Sequence, residues 1–177
     1  SVNNSVTLQN LGIVVLGDSA SDAFTFADGL NATAPASIQL GGSLSTTNSS
    51  IKLAAATLIA NTTLSTGSGA ITLLQVTGNG SQDLSINTTG ALTVSGATSK
   101  LNTLTLANTG GATFSGAVDA SSLNIQNTTG TISLPAGAVL GSLTTAAKNY
   151  SLDFNSLAVS NATSLINTGT VTLSGSI

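Results

Sequence analysis

One short phrase recurs about every 20 residues, and this period constrains the fold of the chain more than any other feature. From Leu84 to Leu134 it reads LSINTTGALTVSGATSK, then LNTLTLANTGGATFSGAVDASS, then LNIQNTTGTISL. An apolar-polar-apolar triplet leads into Asn, Thr and Gly, and a second such triplet follows. Anchored on Leu84/Ile86, the same pair recurs backwards at Leu64/Thr66, Leu44/Thr46, Phe24/Phe26 and Val6/Leu8. Forwards it recurs at Leu104/Leu106, Leu123/Ile125, Leu143/Thr145 and Thr163/Leu165. The spacing holds to the period throughout, and only the steps from Val6 to Phe24 and from Leu104 to Leu123 fall short of it.

A second column runs Ile51/Leu53, Ile71/Leu73, Leu92/Val94, Ala112/Phe114, Ile132/Leu134, Leu152/Phe154 and Val171/Leu173, with Leu30/Ala32 and Ile13/Val15 assigned to it. A weaker third column stands between them at Ile38, Leu58, Val76, Leu101, Val118, Val139 and Val159. Each segment alternates apolar and polar over three to five residues, the period of a strand with one buried face. Gly, Asn and Ser punctuate the junctions. Even the apolar stretch from Leu53 to Ala60 keeps the register of the columns.

The reading is therefore all-β: a single-stranded parallel β-helix, or β-solenoid, with three short strands per rung and eight to nine rungs within one domain over 1–177. At a rung spacing of ~4.8 Å this makes a rod about 40 Å long. A transmembrane barrel with the same period needs aromatic girdles, and four Phe and one Tyr cannot supply them. No run approaches the length of a spanning helix, so membrane insertion is not expected.

Composition narrows the function classes. Apolar residues make up 41% of the chain and charged residues 5%, the reverse of a disordered segment. A net charge of −3 with three lysines offers no footprint for nucleic acid. Without Cys there is no disulfide framework or thiolate metal site, which suits export in the unfolded state. The chain opens on Ser1 rather than Met, as a processed product or an excised segment does. Neither His nor Glu is present to activate the many hydroxyls, so no enzymatic activity, cofactor or metal is expected. Asp83, Asp119 and Asp153 map to different faces rather than to one cleft. The cluster Asp18, Asp22 and Asp28 lacks Ca²⁺-loop spacing, and Thr77–Ile86 reads as a loop rather than a Ca²⁺-binding nonapeptide.

Two polar columns remain. Asn48, Asn108, Asn127 and Asn167 share one turn position, with Asn87 one residue early, and are read as a buried ladder that satisfies turn backbone. Glycan-acceptor sequons also occur, at Asn3, Asn31, Asn48, Asn61, Asn79, Asn87, Asn127 and Asn161, but a Ser/Thr-rich chain supplies such triplets by chance. Just after the anchor runs an outward ladder of hydroxyls and amides: Thr7, Thr25, Ser45, Ser65, Ser85, Thr105, Asn124, Thr144 and Ser164. This is the candidate binding surface, for a glycan or for ice, set against an ordinary solvated face.

The phrase from Gly90 to Gly110 and its copies GGATFSG, GTISL and GTVTLSGSI resemble repeats of the filamentous-haemagglutinin and autotransporter passenger class. The resemblance implies a right-handed parallel β-helix on a bacterial surface, serving as adhesin or stalk. It places the chain outside the cell, with a host or matrix glycan as a partner. Val6 lies only five residues from the start, and four residues follow Leu173. Uncapped rungs favour self-association, so the chain is expected to be a segment of a longer repeat protein or the subunit of a homopolymeric filament.

Overall fold

The computed structural model describes residues 1–176; Ile177, the last residue of the GTVTLSGSI copy, lies outside them. Seventeen strands form one continuous parallel arrangement that coils through about eight turns, with no helix among the described residues. Each turn crosses three faces. Face A carries the anchor column, face B the second and face C the third. A strand's partner is always the strand of the same face one turn away, so neighbours in space stand a full period apart in the chain.

The interior is built from inward-pointing residues stacked like on like. On face A, Leu84, Leu104, Leu123 and Leu143 stand in register. On face B the register runs Leu30, Ile51, Ile71, Leu92, Ala112, Ile132, Leu152 and Val171. A unit this thin has no core of its own, and its apolar edge is buried only because the next turn covers it. The stretch from Leu53 to Ala60 lies within one long strand, Ile51–Gly67, that runs through all three faces, with its register against the preceding turn shifting between Leu58 and Thr62.

Four expected assignments are corrected. Val6 stacks on Leu30 of face B, and it is Val2 that bridges to Phe26. Ile13–Leu16 belongs to face C, where Val14 and Leu16 oppose Ile38 and Leu40. Ile13 and Val15 therefore point outward, 64% and 54% exposed. The sequence IVVL is apolar at both parities, so alternation alone does not say which side faces in. Val139 is 62% exposed, and its neighbours Ala138 and Leu140 fill the interior instead.

The fourth correction concerns the turn after face A. Asn48, Asn87 and Asn127 are exposed and Asn108 and Asn167 half-buried, so the Asn ladder runs along the outside. Asn127 Nδ2 donates to Asn108 Oδ1 across 3.3 Å. The buried polar residues of this corner are threonines, Thr46, Thr66, Thr88, Thr109 and Thr128, and Thr145 is buried opposite Ile125. The hydroxyls of Thr46, Thr66 and Thr88 satisfy carbonyls of the turn, and those of Thr109 and Thr128 satisfy each other. Thr46 and Thr66 donate to the carbonyls of Ser49 and Gly69, Thr88 donates to Gly69 O at 2.6 Å, and the Thr109 and Thr128 hydroxyls lie 2.9 Å apart. In the last of these corners the phenol of the single tyrosine, Tyr150, accepts the Ala146 N–H at 3.1 Å.

Burial pushes the Tyr150 phenol above its ordinary value, against the smaller lowering by its bonds to Ala146 and Thr145. As the pH rises past the unfolded value of about 10, the unfolded chain loses this proton while the folded chain keeps it. Stability is therefore undiminished below that pH and falls as pH climbs towards the folded value. The difference in unfolding free energy between wild type and Tyr150→Phe, followed by circular dichroism in urea, should change across this window. Below it the variant should be weaker by roughly 1–3 kcal/mol, because the Ala146 amide is left unpaired.

Among the described residues, one buried hydroxyl has no partner. Thr98 lies on face C between Val76 and Val118, with its Oγ1 unbonded. Thr98→Val replaces that hydroxyl by a methyl of similar size. It is expected to raise stability by about 1 kcal/mol, read as a higher urea midpoint at unchanged m-value.

Candidate functional site

Side chains that alternate with the buried leucines of face A point outward, and nearly all of them carry a hydroxyl, amide or carboxylate. The predicted ladder is not one rank but two. Thr25, Ser45 and Ser65 are in register, and the Thr25 and Ser45 hydroxyls lie 3.1 Å apart. At the next turn the register slips: Leu64 opposes Ile86 rather than Leu84, and Ser65 opposes Asn87. Ser85 opposes Thr63 instead, then continues through Thr105, Asn124 and Thr144. Thr7 lies on face B opposite Asn31, away from both ranks. Ser164 lies outside the regular strands, where its carbonyl accepts the Thr145 hydroxyl at 3.4 Å.

Two single-residue insertions follow at the corner, one in each neighbour of the second strand. Between Ser65 and Gly67 the first strand carries an extra residue, and between Leu106 and Asn108 the third strand does so against the second. Such single insertions bend a strand without changing what its other residues face. Past the corner, Thr88 opposes Gly67 and Leu92 opposes Ile71, so one residue of the offset is absorbed before face B.

The offset coincides with a groove of about 350 Å³ crossing four turns, its lining a mixture of hydroxyl, amide and apolar groups. Its walls are Ser43, Asn61, Thr63, Asp83, Ser85, Thr103 and Thr105, and Ala20 and Gly42 leave one end open. Gly42 has a φ of +82°, and a Cβ there would stand 2.2 Å from the Asp22 carbonyl oxygen, so no larger residue fills the space. Asp83 is held on two sides: its N–H donates to Asn61 Oδ1 at 2.9 Å, and its Oδ1 accepts from Asn102 Nδ2 at 2.8 Å. Reading the chain by columns pairs Thr63 with Ser65 and Thr103 with Thr105 but does not find the groove. The signal for it is the step from Val76 to Thr98, two positions longer than the period.

A further outward rank was also missed. On face B, Asn31, Lys52, Thr72, Thr93, Thr113, Ser133, Asp153 and Thr172 stand opposite one another turn after turn. Each is the middle residue of an apolar-polar-apolar triplet, so the second column already contains it.

The acidic residues near the start build structure. Asp22 Oδ2 accepts the N–H groups of Asp18 and Ser19 at 2.9 and 3.2 Å, closing the turn that carries them. In the Thr77–Ile86 segment, the Gln82 side chain accepts the Asn79 N–H at 2.8 Å and the Asn79 side chain accepts the Ser81 N–H at 3.1 Å, so this segment closes on itself as a loop. No group of three or more His, Cys, Asp or Glu converges among the described residues, and no helix among them is long and apolar enough to cross a membrane. No family model matches this chain, and neither a curated protein nor a solved structure does.

Proposed function

We propose that this β-solenoid is a structural, non-enzymatic shaft of an extracellular or cell-surface fibre or adhesin. The observation that supports it is the unbroken interior: on face B one inward column continues from Leu30 to Val171 without a polar interruption. Such a column keeps a surface at a fixed distance from its support, because every turn is held by the turns on either side. The outer ranks, hydroxyl- and amide-rich with few charges, keep the rod hydrated without a strong field of either sign. Protease shaving of intact source cells should release fragments of this chain. Recovery of the chain only from the cell interior would overturn the assignment.

A second reading, a homopolymeric filament, draws on the last strand. Among the described residues, Val171–Ser174 pairs with Ser151–Asn155 on one side only, and Val171 and Leu173 are exposed. A row of free backbone groups beside apolar side chains is a template for another strand. Electron microscopy of the purified chain should then show rods many times the length of one molecule, which Leu173→Lys shortens to single units. Monodisperse short rods at all concentrations exclude this reading.

A further inference from the structure

Beyond the shaft role, we propose that the face A groove around Asp83 is a binding site for the edge of a neutral saccharide. The groove's hydrogen-bonding capacity is largely unspent. The hydroxyls of Ser43, Thr63, Ser85 and Thr105 make no side-chain hydrogen bond among the described residues, whereas elsewhere on the same face Thr25 bonds Ser45, and Ser142 bonds Ser122. All four are half-buried along the groove and so are held by stacking rather than free to sweep through solvent.

The chemistry of the lining selects the ligand class. Four hydroxyls can each donate or accept, Asn61 retains its amide hydrogens, and Asp83 retains acceptor capacity beyond its bond from Asn102. A partner that matches this set must itself present closely spaced groups that both donate and accept, as the hydroxyls of a sugar do. Phosphate or sulfate has no cation to meet, since neither Lys nor Arg lines the groove. Its apolar lining is made of threonine methyls, Ala20, Gly42 and the buried Leu84, patches between polar groups such as the methine faces of a sugar also present. The lone carboxylate repels acidic sugars, which restricts the class to neutral ones.

The shape agrees. The groove crosses successive turns, so its hydroxyls repeat along the rod at ~4.8 Å, close to the advance of one pyranose unit in an extended glycan. Its volume of about 350 Å³ lies at the small end of ligand sites. No aromatic ring lines it to stack against a sugar face, so affinity rests on hydrogen bonds exchanged with water and is weak, with a Kd on the order of 1 mM.

The test is a ¹H–¹⁵N chemical-shift titration of the whole chain with cellotetraose, chitotetraose and maltotetraose separately, and with 3′-sialyllactose as the acidic comparison. At least one neutral tetrasaccharide should shift the amides of Ser43, Thr63, Asp83, Ser85 and Thr105 together, and sialyllactose should do so at least tenfold more weakly. Ser85→Arg, which fills the groove, should weaken binding at least tenfold. Asp83→Asn, which keeps the shape but removes the charge, should narrow the gap between neutral and acidic sugars. The proposal is overturned if none of the three neutral probes shifts these amides at about 20 mM. It is equally overturned if shifts map elsewhere, or survive Ser85→Arg in folded protein. The shaft assignment stands or falls separately, on where the chain is found.

Discussion

Phe114→Ala is expected to cost about 3–5 kcal/mol of stability. The ring is 1% exposed and follows Val94 in the outer of the two inward columns of face B. In a solenoid the space it leaves can be closed only by movement of the turns above and below, whose own side chains are already in contact with theirs. For a domain of this length the loss corresponds to a thermal midpoint lower by roughly 10 °C. Because each turn is stabilised by its neighbours alone, the defect should also uncouple the two halves of the rod. Calorimetry is expected to show the single transition broaden or divide, with the material on either side of Phe114 melting separately. Phe114→Leu should cost less than about 1.5 kcal/mol, and Leu74→Ala, on an exposed corner, should stay within about 0.5 kcal/mol. Equal effects at all three sites would contradict the stacked core.

Gly130→Ala is expected to be nearly as damaging for a different reason. A Cβ at Gly130 would stand 2.0 Å from the carbonyl oxygen of Gly110, and both this atom and the Gly110 carbonyl carbon at 2.9 Å are backbone. No rotamer relieves such a contact, so the two turns must separate. Separation strains the adjacent bonds from Thr129 N to Thr109 O and from Ser151 N to Gly130 O, at 3.1 and 3.2 Å. One methyl group should therefore cost about 3 kcal/mol, the upper part of the overpacking range. Gly12→Ala is the matched comparison: nothing lies within 4 Å of its Cβ, and the urea midpoint should barely move.

The solenoid was legible because its interior is redundant. Leu84, Leu104, Leu123 and Leu143 share one residue type at nearly one spacing, and a transmembrane barrel with that period needs aromatic girdles the chain does not supply. The two-residue slip was not legible. Leu64 and Leu84 stand one period apart, so a column drawn through them looks correct although Leu64 opposes Ile86. Side-chain parity is unchanged by a shift of two, which leaves alternation with nothing to detect. The corner was misread because Asn and Thr stand side by side in the repeat, and both types satisfy turns. What separates them is the methyl: threonine offers the core an apolar surface and the backbone a hydroxyl from one side chain, whereas asparagine offers only polar atoms. Of the candidate surface, the residue types were visible in the sequence, and Thr105, Asn124 and Thr144 were placed together. The groove was not, because it arises from an offset between turns that no single rung contains.

The pairing of each strand with the strand one turn away also sets how the molecule responds to tension. A turn contributes about 4.8 Å of axial height while coiled. Peeled from the end of the rod and drawn straight, its roughly 20 residues span about 70 Å. Pulled from its two ends, the protein should lengthen in about eight discrete steps of roughly 65 Å, one per turn. Each rupture dissipates work while leaving the remaining turns intact. A rod about 40 Å tall thereby carries a reserve of length more than tenfold its own height, and behaves as a shock absorber under load.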